Sequence, residues 1–529
     1  MRVVLACLAT LGLAAPAAAQ DDLAFAGFAD QQQAMREGRA SAESLARLYL
    51  QRIETLDRAG PKLNSVLALN PHALEDARRL DAERAAGRVR GPLHGVAVLI
   101  KDNIDSADGT ATTAGSLALK DNVTGRDAPL VARLKDAGVV VLGKTNLSEW
   151  ANYRSTRSIS GWSALGGLVR NPHALDRSAC GSSSGSGAAV AAALAAGAIG
   201  TETDGSITCP AAMNGIVGLK PTVGLVSRTH LVPISASQDT AGPMTRSVAD
   251  AAALLTALAG SDPADPATAE ADARKSDYLA ALDAGALRGA RLGVLRGPAG
   301  RNHPVDALFE KTLEVLKAQG AILIDLPPPD LAAVSAAEDL VLKTEFKAGV
   351  AAYLASTDPA RVKPRTLADL IAFNRAEPRE TPLFGQELFE QSQASAGLDD
   401  PAYVKARADG PRLAGPEGID RMLAQADAIA IVAPSGGPAS VVDPVNGSRW
   451  LGSPSTLPAV SGYPHLTVPM GEVSGLPVGI SFIGPAWSEA RLLALGYAFE
   501  QATKARVAPA FAPTVNTRPD IAAAYDPAR

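Results

Sequence analysis

With 47% hydrophobic and 20% charged residues among 529, the chain has the apolar content of a large packed core and too little net charge for a disordered one. Its 50 Lys and Arg against 55 Asp and Glu leave a formal net charge of -5, so no basic excess exists to hold a phosphate backbone and nucleic acid is excluded as the primary partner. The first residues differ from the rest. Arg2 precedes an apolar run, Val3 to Leu13, and then the small residues Ala14 to Ala19. This is the pattern of a secretory signal peptide over residues 1–19, with a mature chain from Gln20 or Asp21. No later run approaches the roughly 18 apolar residues that a membrane span requires. The mature protein is therefore expected to be exported, periplasmic or secreted, with no membrane contact after cleavage.

Residues 21–90 read as helical. Ser41 caps an amphipathic stretch through Leu45, Leu48, Tyr49 and Ile53, and Leu74 to Ala86 forms a second helix. Val96 to Ile100 is a short, continuous, β-branched apolar run and predicts a buried strand. The helix Pro129 to Ala137 and the strand Val139 to Leu142 follow. A Gly/Ser-rich stretch then leads into an Ala-rich helix over 188–196, with short strands expected near Val217 and Val223. Residues 262–430 carry more charge and long helical patterns, Pro304 to Gln319 and Ala336 to Tyr353, and read as a helical elaboration of one domain spanning 20–529. Strand character returns at Ile429 to Val432, Leu466 to Val468 and Gly479 to Ile483, and a helix from Glu489 to Ala502 closes the chain. Alternating strands and helices predict an α/β architecture.

Three segments carry candidate chemistry. The first ends the strand at Lys101, followed by Asp102 and Asn103. Burial disfavours an ammonium, so a lysine held there can be neutral and act as a base. The second is Gly181 to Gly187, with Ser182, Ser183 and Ser184; it has no Lys to make a phosphate-binding loop. The third is Thr201 to Pro210, where Gly205 precedes Ser206 and lets backbone N–H groups converge on one point. Cys180 and Cys209 stand in no metal-ligand spacing; an oxidising compartment permits a disulfide between them, and free, small core residues are the simpler expectation. The six histidines (His72, His94, His173, His230, His303 and His465) are scattered and form no metal-binding pattern.

In this order and spacing the three segments resemble the amidase-signature family of serine hydrolases. The likeness continues through Asn214 to Thr222, Asp239 to Met244, Tyr463 to Pro469 and Leu476 to Gly479. Within the family, Thr201 to Ile207 with Cys209-Pro210-Ala211-Ala212 looks like the bacterial peptide amidases, which remove the C-terminal amide of peptides. The resemblance implies a mixed central β-sheet covered by helices on both faces. It makes Ser206 the nucleophile, Ser182 the bridging residue on a cis peptide and Lys101 the base. Ser183 is implied as a supporting residue, and backbone N–H groups from Thr203, Asp204, Gly205 and Ser206 as the oxyanion hole. No metal or organic cofactor is implied, and the partner is an amide substrate.

Two departures from the family pattern occur. Ser184 and Asp204 stand where glycines are usual, and both are expected to reshape the substrate entrance. Other amides, the amidotransferase component that acts on glutamyl-tRNA, and a non-catalytic peptide-binding scaffold are the competing functions. The signal peptide and acidic balance oppose the amidotransferase; the presence of all three triad residues opposes the inert scaffold.

Overall fold

The computed structural model describes residues 22–525 apart from 299, 301, 448 and 450; the stretch 1–19, expected to be a signal peptide, lies outside the described residues. Among the described residues eleven strands form one mixed sheet. In chain order they are β1 (Val66–Leu69), β2 (Ala97–Lys101), β3 (Val140–Thr145), β4 (Gly197–Glu202), β5 (Val217–Lys220), β6 (Thr240–Thr245), β7 (Arg291–Val294), β8 (Ile322–Asp325), β9 (Ala430–Pro434), β10 (His465–Val473) and β11 (Leu476–Ile483). Their spatial order is β1-β3-β2-β4-β6-β5-β10-β11-β9-β7-β8. β2 runs parallel to both β3 and β4, β6 is antiparallel to β4, and the β9-β7-β8 edge is parallel again. Helices flank the sheet, as expected.

The middle strands are buried along their whole length. This explains why β2 and β3 read as unbroken apolar runs: strands covered on both faces have no polar side to alternate with. β1 lies inside the stretch that reads as helical. β6 was not legible because it contains Pro243, which removes a ladder donor. The fold tolerates it because β5 pairs only with Thr245 and Met244, and the ladder on that side ends before Pro243. Val223, expected in a strand, lies instead in the turn after Pro221.

Helix α1 (Ala42–Arg52) has the expected Ser41 cap, with a reciprocal capping box to Ser44. Helix α2 (Ser184–Ala191) starts earlier and ends earlier than its alanines suggest. Gly185 belongs to it because a Cβ there would collide with the carbonyl oxygens of Asn146 and Ser65. Only a bare backbone lets the helix sit so close to its neighbours. The 262–430 segment is not purely helical. Its strands β7 and β8, joined by α3 (His303–Ala318), extend the parallel edge of the sheet, while α4 (Ala332–Ala355) leads the helical part. Phe346 on α4 packs against Phe389, which in turn meets Trp150 of the segment after β3 edge-on.

Candidate active site

β2 delivers Lys101 into the interior, where the side chain is fully buried. Its Nζ lies 2.8 Å from Ser182 Oγ, 2.9 Å from Thr201 Oγ1 and 3.2 Å from the Thr201 carbonyl. Burial lowers its pKa to about 7, against the opposing pull of Asp239 and Glu202. Asn103, two residues on, donates Nδ2–H to the same Thr201 hydroxyl at 3.0 Å. Thr201 therefore anchors the amine from below. Neither Thr201 nor Asn103 stands out in the sequence, although both sit within the segments that carry the site, because their role depends on β2 and β4 being neighbours.

Ser182 is fully buried, follows a cis peptide from Gly181, and its carbonyl accepts from the Ser148 N–H at 3.0 Å. Ser183 stitches this loop to the third segment. Its N–H donates to the Ser206 carbonyl at 3.1 Å, and its Oγ donates to the Thr201 carbonyl at 3.0 Å. Ser206 sits just before the short helix Thr208–Met213 and remains 7% exposed, at the floor of a cleft of about 360 Å³. Gly205 has φ +77°, a left-handed conformation that glycine adopts without penalty. The N–H groups of Asp204, Gly205 and Ser206 donate to no protein acceptor among the described residues. Just beyond them, the Glu202 carboxylate accepts from the Ile207 and Thr208 N–H groups at 2.7 and 2.9 Å and pins the turn.

The two departures from the family pattern divide. Asp204 lines the cleft, and its carboxylate accepts from the Thr456 hydroxyl at 3.2 Å; burial raises its pKa. Ser184 does not line the cleft. It is buried, and its hydroxyl donates to the Cys180 carbonyl at 2.5 Å, so the expectation that it reshapes the entrance is corrected. The cysteines also differ from expectation: Cys180 and Cys209 form a disulfide, their Cα atoms 6.0 Å apart. The chain separation of 29 residues hid this, since folding α2 and β4 between them brings the two ends together. Among the described residues no histidine lines the cleft; His94, His173 and His465 are buried and bonded to Leu80, Asn214 and Ser481.

A buried lysine touching the hydroxyl of one serine, with the loop of that serine hydrogen-bonded to the turn that carries a second serine into a cleft, is an arrangement that serine hydrolases can use. Residues 44–493 match the family model described as Amidase, and the chain belongs to that family. It is an amide-hydrolysing enzyme. It is 39% identical over 491 residues to a probable amidase of Arabidopsis thaliana, the match covering 90% of each chain. It superposes on the X-ray structure of the peptide amidase from Stenotrophomonas maltophilia with a TM-score of 0.88 at 55% identity, covering 92% of this chain and 98% of that one. A glutamyl-tRNA(Gln) amidotransferase component from Pseudomonas syringae is more distant, 36% identical over 479 residues, 88% of this chain and 94% of that one.

Proposed function

We propose that the enzyme removes the C-terminal carboxamide of peptides as ammonia, through an acyl-enzyme on Ser206. The observation that carries the mechanism is the buried contact between Lys101 Nζ and Ser182 Oγ. A neutral amine has two N–H donors and one lone pair. The two donors are directed at Thr201 O and Oγ1, which leaves the lone pair for the Ser182 hydroxyl proton. Lys101 accepts that proton while Ser182 accepts one from Ser206, whose oxygen attacks the carboxamide carbon. The N–H groups from Thr203 to Ser206 receive the developing oxyanion. The proton returns through Ser182 to the leaving nitrogen, ammonia departs, and water hydrolyses the ester by the same relay.

The peptide-amide preference is supported by the 55% identity to an enzyme described as a peptide amidase. The charges around the cleft agree with it. Among the described residues Asp204 is the one acidic side chain that lines it, and no Lys or Arg is there to hold a terminal carboxylate. Export is supported by the signal-like residues 1–19 and by the disulfide, which persists in oxidising compartments. The test is ammonia release across free amino-acid amides, peptide amides, aryl amides and fatty amides, followed by mass spectrometry. Amidated peptides are expected to convert to the acid while the same peptides with free carboxylates stay intact. Internal cleavage, or activity confined to fatty amides, overturns the substrate assignment.

A further inference from the structure

We infer that the Cys180–Cys209 disulfide is a positioning element of the catalytic relay. The bridge joins the two catalytic segments on their outer sides: Cys180 lies two residues before Ser182, and Cys209 three residues after Ser206. Cys180 has φ +53°, the left-handed region that a residue with a Cβ enters only at a cost and keeps only when its surroundings over-determine it. Its neighbours supply some of that constraint. Ser178 Oγ accepts from the Cys180 N–H at 3.0 Å, and Ser184 Oγ donates to its carbonyl. The covalent tie supplies the remainder by holding the Cys180 side chain to the helix that follows Ser206. That helix is itself locked to the nucleophile turn, because the Cys209 N–H donates to the Gly205 carbonyl at 2.8 Å. The bridge thus spans from the bridging serine to the nucleophile and complements, from the other side, the Ser183 N–H bond to the Ser206 carbonyl.

Reduction opens this tie. A dithiol thiolate attacks one sulfur, the S–S bond breaks, and two electrons pass to the protein; two cysteine thiols and the cyclic disulfide of the reagent are left. Cys180 lines the cleft, so the reagent reaches the bridge through the substrate entrance. With Cys180 free to leave its left-handed conformation, Ser182 shifts relative to Ser206 and the proton relay lengthens. Substrate contacts elsewhere in the cleft are untouched.

The experiment uses the full mature enzyme before and after treatment with dithiothreitol, together with the double variant Cys180→Ser/Cys209→Ser. Thiols are counted with a chromogenic disulfide, folding is followed by circular dichroism, and the nucleophile is read by its rate of labelling with a fluorophosphonate. A displacement of the relay by a fraction of an ångström to about 1 Å is expected to lower kcat by about ten- to a hundredfold with KM nearly unchanged. Labelling is expected to slow in parallel, at unchanged circular dichroism, and reoxidation to restore both. Unchanged kcat and labelling with two titratable thiols overturns the inference. So does a loss that tracks unfolding alone, or the finding of two free thiols in the untreated enzyme. Labelling reads Ser206 without any amide, so the outcome stands apart from the peptide-amide assignment: failure of that assignment alone leaves a redox-sensitive labelling rate.

Discussion

In the proposed relay Lys101 sets the pH behaviour of the site. Its pKa is lowered to about 7 because burial removes water from the ammonium. Only the neutral amine can accept the Ser182 proton, so kcat/KM is expected to rise with pH through about 7 and to flatten above it. A rate independent of pH through neutrality contradicts the role. At the nucleophile, Ser206→Ala is expected to abolish fluorophosphonate labelling and to cut ammonia release by about 10,000-fold or more, as loss of a catalytic serine does elsewhere. Its melting temperature is expected to stay close to that of the parent, because a hydroxyl at the floor of an open cleft contributes little to packing. Lys101, Ser182 and Ser206 could be proposed from the sequence because each stands in a distinctive local pattern. Asn103 and Thr201 could not, because an amide and a hydroxyl become amine anchors only when two strands distant in sequence lie side by side.

At the scale of elements, α2 shows how packing overrides local preference. Its first turn is Ser184, Gly185, Ser186 and Gly187, a composition that reads as loop. The helix forms there because it is pressed against β3 and the Ser65 backbone, where side chains have no room. Gly185→Ala is expected to destabilise the fold by about 1–3 kcal/mol, since the added Cβ meets two carbonyl oxygens rather than a flexible side chain. Denaturant unfolding should show a lower midpoint with an unchanged slope; an unchanged midpoint means the backbone relaxes freely. The neighbouring alanines, by contrast, were expected to continue the helix to Ala196. They end it at Ala191, and Ala193 takes φ +53° so that the chain can turn into β4. Alanine favours helix but is also small enough to fit a tight buried turn, so its run marks a buried segment and not where the helix ends.

Across the whole molecule, the middle segment is tied to the catalytic core by buried charge. Arg154, fully buried, lies 3.2 Å from Glu149 and over the rings of Trp162 and Phe384, and its guanidinium also donates to the Glu380 carbonyl. The Glu380 carboxylate in turn accepts from the Ser116 hydroxyl and the Leu117 N–H. Arg154→Met keeps much of the volume but leaves these carboxylates without their cation. Removing one partner of a buried pair costs about 3–5 kcal/mol, so a lower melting temperature is expected. Burial holds Glu149 well above the usual carboxylate range. Protonation of Glu149 removes its need for a cation, so the gap between variant and parent is expected to be widest at alkaline pH and to narrow as pH falls. A variant as stable as the parent contradicts this role for Arg154.

The sequence by itself determined the family, placed the candidate residues Lys101, Ser182 and Ser206 in its motifs, and marked the elements with a clear local signal, a continuous apolar run or a capped helical period, because each rests on side chains close together along the chain. β2 and the capped helix α1 are of this kind. Tertiary structure alone decided the Cys180–Cys209 bridge, the inward turn of Ser184, the Thr201 and Asn103 anchors, and the strands β6, β7 and β8. Each of these depends on a partner far away in sequence: a second sulfur, a carbonyl across a helix start, or an open sheet edge. Burial then settles the chemistry, since the same lysine on a solvated strand end would keep its proton at neutral pH.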